Sequence, residues 1–297
     1  MRTTLLTGGT GFIGQALMEQ LRSDGLTGTI RLFSRKEPSS RLPEGVESFK
    51  GDVSSVSDLA AAMDGVDTIF HLTGILAETR TQTYEKVHVQ GTRSMLKAAK
   101  MSGVRTIISV SAIGASHSAA SRYHKTKAIM EDELLSSGLD VSIVRPSVVF
   151  GRRDKFINLF AGLARGLHIL PVIGSGKNLV HPVWVGDLTA TLSRLSIDRN
   201  IRPTILEIGG PRIYTYIELM KTIKSSLKAS ALIMPQPPSM LKLSAFFQEK
   251  LLSTPFLTRE MIRMALSDNI AKENHLVTVL KISPYPLDAY LEANARP

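Results

Sequence analysis

Residues 4–17 read TLLTGGTGFIGQAL, and this stretch decides the fold. An apolar, strand-like run ends at Thr7. From Phe12 the pattern is helical, with Leu17 and Leu21 four apart and Gly25 as a stop signal. Between the two stand Gly8, Gly9, Gly11 and Gly14. Ordered glycine loses more backbone entropy than any other residue, so such a cluster needs a geometric reason. Gly8, Gly11 and Gly14 form GxxGxxG between a strand and a helix. That spacing provides a tight turn, a backbone that a pyrophosphate can approach, and close packing of helix on strand. The helix N-terminus adds N–H donors and the positive end of a dipole. The expectation is a dinucleotide cradled by Gly8, Gly9, Thr10, Gly11, Phe12, Ile13 and Gly14.

The pattern beyond the loop supports this. Short β-branched runs (TTLLTG, GTIRLFS, VESFKGD, DTIFHLTG, RTIISVSA, DVSIVRPS) alternate with helical segments through the first half. This is the signature of βαβ units and a parallel sheet. SVSDLAAAMDG and TYEKVHVQGTRSMLKAAKMSG read as two further helices, each closed by a glycine. After Phe150 the alternation fades, and from about Tyr214 the chain is mostly helical. The expected architecture is α/β, a doubly wound Rossmann-type sheet with a smaller, mostly helical C-terminal lobe. Residues 1–150 and 178–210 are assigned to the sheet domain, and 151–177 and 211–297 to a substrate or partner lobe.

The end of the second strand selects the dinucleotide, because a carboxylate there grips the ribose 2′-hydroxyl of NAD whereas a cation accommodates the 2′-phosphate of NADP. This strand ends LFSRK. Ser34, Arg35 and Lys36 offer a hydroxyl and two positive charges, so NADP(H) is favoured over NAD(H).

Composition narrows the rest. The chain has 297 residues, a 43% hydrophobic share and a net charge of +10. The charge favours anionic partners, but the basic residues are scattered and lack the interleaved aromatics of a single-strand groove, so nucleic acid is not expected. With no cysteine, disulfides, thiolate catalysis and cysteine-ligated metals are excluded. No cluster has metal-ligand spacing. No segment has the apolar length of a membrane span or the layout of a signal peptide, so the location is read as cytoplasmic or peripheral at a membrane. Met240, Leu243 and Phe247 recur at helical spacing with Lys242 and Lys250 on other faces. Such a stripe packs on its own domain or docks on a membrane or protein partner.

TGGTGFIG together with YHKTK resembles the short-chain dehydrogenase/reductase superfamily, in its extended and atypical branches. RPSVVFG, HPVWVGDL and LEIGGP are similar to later landmarks of the extended branch, so the likeness runs nearly the whole chain. The tail LIMPQPPSMLKLSAFFQEKLLSTPFLTREMIRMALSDN resembles the group that includes the nucleotide-binding accessory subunit of respiratory complex I. The resemblance implies that Asp52 and Val53 contact the adenine, that Leu72, Thr73 and Gly74 line the cofactor, and that Pro146 and Val149 pass near the nicotinamide. It also implies a catalytic trio of Ser111, Tyr123 and Lys127, with Ser109 as the alternative hydroxyl.

The chemistry of the trio is readable. Tyr123 and Lys127 lie at i and i+4, on one helical face. A nearby ammonium favours the phenolate and should lower the Tyr123 pKa, making it an acid/base partner for hydride transfer. Lys127 would also bond the nicotinamide ribose. Where the superfamily commonly has Asn, this chain has His88, which weakens a relay through that amide. His71 and His88 are candidates for titration near neutral pH, with a structural role as the plainer reading. Asp187 and Trp184 are read as structural.

Two functions compete. One is an NADP(H)-dependent oxidoreductase or epimerase acting on a small molecule, a quinone or a nucleotide-sugar. The other is an accessory protein that holds NADPH without turnover, in a membrane-associated respiratory or quinone-related complex.

Overall fold

The structure is a computed structural model describing residues 2–25, 28–38, 41–198, 200–252, 255 and 257–294. Ser39 and Ser40 of the first basic group, Arg199 of a later one, and Ser253, Thr254 and Phe256 of the tail lie outside the described residues. The chain divides into two compact units, Met1–Arg145 with Thr189–Leu206, and Pro146–Leu188 with Glu207–Pro297.

The first unit follows the βαβ alternation. In order come β1 (Thr3–Thr7), α1 (Phe12–Ser23), β2 (Thr29–Ser34), β3 (Val46–Lys50), α2 (Val56–Met63) and β4 (Thr68–His71). A π-helical turn (Glu85–Gln90), α3 (Gly91–Met101), β5 (Thr106–Val110), α4 (Arg122–Leu135) and β6 (Asp140–Pro146) follow. The seven-stranded sheet has the order β11-β6-β5-β4-β1-β2-β3, with β11 at Ile205–Ile208. β1 pairs in parallel with β2 at Leu5↔Arg31 and with β4 at Leu5↔Ile69. β4 and β5 are buried at every residue, as strands covered on both faces must be. Leu5, Phe33, Leu59, Met63, Ile69, Met95, Ile107 and Leu134 form the core between sheet and helices. Strand order reverses between β1 and β4, and in open α/β sheets ligands bind outside the carboxyl ends of the strands at such a switch point.

In the second unit, β7 (Val149–Phe150), α5 (Ile157–Gly166), β8 (Ile169–Ile173), β9 (Leu179–Val180) and β10 (Val183–Trp184) lead into α6 (Val185–Ile197). After β11 come β12 (Tyr214–Thr215), α7 (Tyr216–Ser226), β13 (Leu232–Gln236), α8 (Pro238–Leu251), α9 (Arg259–Ala265), α10 (His275–Thr278) and α11 (Leu287–Ala293). Three two-stranded ladders, β10-β7, β12-β9 and β13-β8, accompany these helices. Phe150, Ile157, Leu170, Leu219, Met220, Ile223 and Leu291 are its core. Asp187 accepts a bond from the Tyr285 N–H at 2.8 Å, and Trp184 packs against Tyr285.

The segment read as one helix through TYEKVHVQGTRSMLKAAKMSG is a π turn followed by an α-helix. Val87, His88 and Val89 are consecutive and all buried. The Gly91 N–H bonds to the Lys86 carbonyl, and a Cβ at Gly91 would lie 2.8 Å from Val53, so glycine lets this junction approach the loop after β3.

Candidate functional site

The glycine loop is built as a cradle. Gly8 has φ +72°, a conformation that side chains resist, and donates its N–H to Phe33 O at 3.0 Å. Gly14 packs against the loop itself: a Cβ there would stand 2.6 Å from Gly8 O and from Gly9 Cα. A Cβ on Gly9 would meet Leu32 at 2.8 Å. α1 begins at Phe12 after Gly11, which has no side chain to cap the helix. The first-turn N–H groups of Phe12, Ile13 and Gly14 thus have no side-chain cap, and Thr10 sits half-buried in the loop.

Because the strands are parallel, the segments after β5, β4, β1, β2 and β3 leave the same edge of the sheet in that order. This edge brings together Ser111, the Leu72–Gly74 turn, the glycine loop, Ser34–Lys36, and Asp52 with Val53. Loop and turn touch, since a Cβ on Gly8 would lie 3.1 Å from the Thr73 backbone. Ser34 Oγ donates to Lys36 O at 2.6 Å, so its hydroxyl is spent on shaping the loop, while Arg35 and Lys36 are exposed. Asp52 accepts bonds from the N–H and Oγ of Ser54 and pairs with Lys86 at 3.3 Å. Burial works against its charge, yet these partners hold its carboxyl below the ordinary range. Val53 is buried. Pro146 ends β6 and Val149 begins β7, both in the second unit.

Ser121 caps α4, its Oγ accepting from the His124 N–H at 3.0 Å, and so sets the register that buries Tyr123 and Lys127. Lys127 Nζ donates to Val110 O at 3.0 Å, and a Cβ on Gly74 would lie 3.4 Å from it. At the end of β5, Ser111 Oγ is buried with no hydrogen-bond partner, whereas Ser109 Oγ donates to His71 O at 3.4 Å. A buried hydroxyl left unpaired costs about 1–3 kcal/mol.

The electrostatics correct the expectation for Tyr123. Burial pushes its phenol up to about 12, not down. Burial also lowers Lys127 to about 8, with Glu131 opposing. The phenol's shift follows from its desolvation. Taken from 10.5, the Lys127 shift corresponds to about 3 kcal/mol against folding at neutral pH. Its bond to Val110 O returns about 1–1.5 kcal/mol. Lys127→Met should thus raise stability by about 1–2 kcal/mol in urea melts. An unchanged or lower midpoint counts against this balance.

His71 and His88 are structural. His88 Nε2 accepts the Ile75 N–H at 3.2 Å, so Nδ1 carries the proton and donates to Thr126 Oγ1 at 2.9 Å. Thr126 in turn donates to Tyr123 O. Thr92 Oγ1 donates to His88 O, so it accepts from His71 Nε2 at 3.0 Å, and His71 Nδ1 accepts from Thr7 Oγ1 at 2.9 Å. Burial, reinforced by the Lys127 charge, pushes His71 down to about 3 and His88 to about 2. Both are neutral at physiological pH.

Three features escaped the sequence reading: the threonine partners of these imidazoles, His124, and Tyr84. Tyr84 stacks in a cluster with His88 and Tyr123, its hydroxyl donating to Leu76 O at 2.8 Å. The four-residue spacing of Tyr84 and His88 was the available signal. Among the described residues no group of His, Asp and Glu could hold a metal, and no helix is long and apolar enough to cross a membrane.

Residues 8–154 match the family model described as NAD(P)H-binding. The chain is 29% identical over 229 residues to the NADH dehydrogenase [ubiquinone] 1 alpha subcomplex subunit 9, mitochondrial, of Arabidopsis thaliana, covering 74% of this chain and 57% of that protein. It is 28% identical over 221 residues to the ceramide reductase of Caulobacter vibrioides, covering 73% and 68%. The chain spans about three fifths of the length of the complex I relatives from Arabidopsis, mouse and rat. The dTDP-glucose 4,6-dehydratase DesIV of Streptomyces venezuelae, solved with NAD bound, superposes with a TM-score of 0.74 at 20% identity, covering 99% of this chain and 96% of that one. Likeness at that identity shows the fold. With its glycine cradle and reversing strand order, the region 8–154 belongs to the NAD(P)H-binding family, folded as the nucleotide-sugar dehydratases and epimerases are.

Proposed function

We propose that this chain is an NADP(H)-dependent oxidoreductase or epimerase of the extended or atypical short-chain dehydrogenase type, acting on a carbonyl or secondary alcohol. The observation that carries the reading is the orphaned, buried hydroxyl of Ser111 on the same sheet edge as a desolvated Lys127 and the glycine cradle. Unpaired and uncompensated groups of this kind burden the fold unless a ligand completes them.

The cradle fits a dinucleotide: Gly8 to Gly14 would hold the pyrophosphate, Arg35 and Lys36 the 2′-phosphate, Asp52 and Val53 the adenine edge, and Leu72 to Gly74 the nicotinamide side. When bound, the nicotinamide supplies or takes the hydride. Ser111 Oγ–H would donate to the carbonyl oxygen and fix it. Tyr123, protonated throughout the neutral range, would give its proton to that oxygen as charge develops, which favours the reducing direction. Lys127 would hold the ribose and stabilise the phenolate left behind.

A second reading is a respiratory or quinone-related accessory protein that retains NADPH, and the likeness to the complex I subunit favours it. One preparation separates the two. The purified chain is denatured, its nucleotide identified by mass spectrometry, and a parallel sample is mixed with ketones, quinones or nucleotide-sugars while nicotinamide fluorescence is followed. NADP(H) with loss of fluorescence on one substrate class supports the oxidoreductase. NADPH that no acceptor oxidises supports the accessory role, and failure to bind either nicotinamide nucleotide defeats both.

A further inference from the structure

Helix α8 turns an apolar stripe to solvent. Met240, Leu243, Phe247 and Leu251, at i, i+3, i+7 and i+11, are 63%, 60%, 53% and 79% exposed. Around the rest of the helix Ala245 is buried, Glu249 pairs with Arg259 at 2.7 Å, Gln248 accepts the Leu257 N–H and Phe246 lies under the Arg259 cation, while the exposed Lys250 flanks the stripe with its ammonium over the Phe246 ring. The helix is therefore clamped with its stripe outward.

Charge selects the occupant. Glu249 is the one acid between 238 and 252, and Arg259 neutralises it, while Lys242 and Lys250 remain exposed. The second unit carries 16 Lys and Arg against 10 Asp and Glu, a net +6. The stripe exposes on the order of 500 Å² of apolar surface, the upper end of what monomers leave contiguous. A bilayer needs only shallow apolar insertion beside cations that meet anionic headgroups.

We propose that α8 docks this protein on an anionic membrane surface, with Met240, Leu243, Phe247 and Leu251 entering the headgroup boundary and Lys250 meeting phosphate. The docking is independent of the nucleotide reading, and both are measured on the same samples. The full chain is floated with vesicles of phosphatidylglycerol and phosphatidylcholine, and with phosphatidylcholine alone, while bound nucleotide and elution volume are recorded.

Wild type should partition into the anionic vesicles. The double variant Leu243→Gln/Phe247→Gln should lose about tenfold or more of that partitioning with folding and nucleotide content unchanged. Lys250→Gln should lose about fivefold. Three results overturn the proposal: wild type that stays out of anionic vesicles, a double variant that binds as well as wild type, or a wild-type dimer that the variant dissolves without any vesicle binding, which would make the stripe a contact between copies.

Discussion

Replacing Tyr123 with Phe is expected to lower turnover by about 10²–10⁴-fold, the range that a positioned acid contributes. Nucleotide affinity should stay within about twofold, because the ring keeps its packing against Tyr84, His88 and His124. The pH profile carries further information. With the phenol pushed up to about 12, carbonyl reduction has its acid in hand across the neutral range. Lys127, at about 8, loses its charge first, so the rate should fall as pH rises through about 8. Steady-state kinetics on the substrate class found above, with nucleotide titration alongside, provides the check. Turnover surviving in Tyr123→Phe removes Tyr123 from the chemistry, and a rate that climbs steadily above pH 8 removes the Lys127 charge from it.

The second large effect is on stability in mild acid. His71 and His88 bind protons near pH 6.5 when unfolded, but in the fold burial holds them at about 3 and about 2. Between those values the unfolded chain takes up protons that the native one refuses, so their contribution is intact above pH 6.5 and declines as pH falls. Each site then subtracts about 1.4 kcal/mol per pH unit, or about 5 kcal/mol for the pair by pH 4.5. This is comparable with the whole stability of many domains. Urea melts in steps from pH 7.5 to 4.5 should show a steep loss beginning near 6.5. His88→Asn should halve the slope, because an amide can accept the Ile75 N–H and donate to Thr126 without titrating. A slope that His88→Asn leaves untouched would place the acid lability elsewhere.

The trio shows why local legibility has a limit. Tyr123 and Lys127 were readable as neighbours because i and i+4 share a helical face, but the sign of the phenol's shift was not. It depends on how much water the fold removes from the phenol. Ser111 and Ser109 looked alike in SVSAIG. In the fold one hydroxyl has a carbonyl acceptor and the other has none. His71 and His88 resembled candidates for neutral-pH chemistry until their threonine partners, drawn from β1, α3 and α4, came into place. The α8 stripe was legible as a stripe, and only its exposure tells which way it faces.

By itself the sequence determined what depends on neighbours along the chain: the alternation that makes a parallel sheet, the glycine spacing that opens the first loop, and the charges at the end of β2. Those are properties of periodicity, backbone freedom and local charge. The tertiary structure alone decided which polar groups are satisfied, how far each is desolvated and which apolar faces remain in water, because these follow from segments that meet only once the chain has folded.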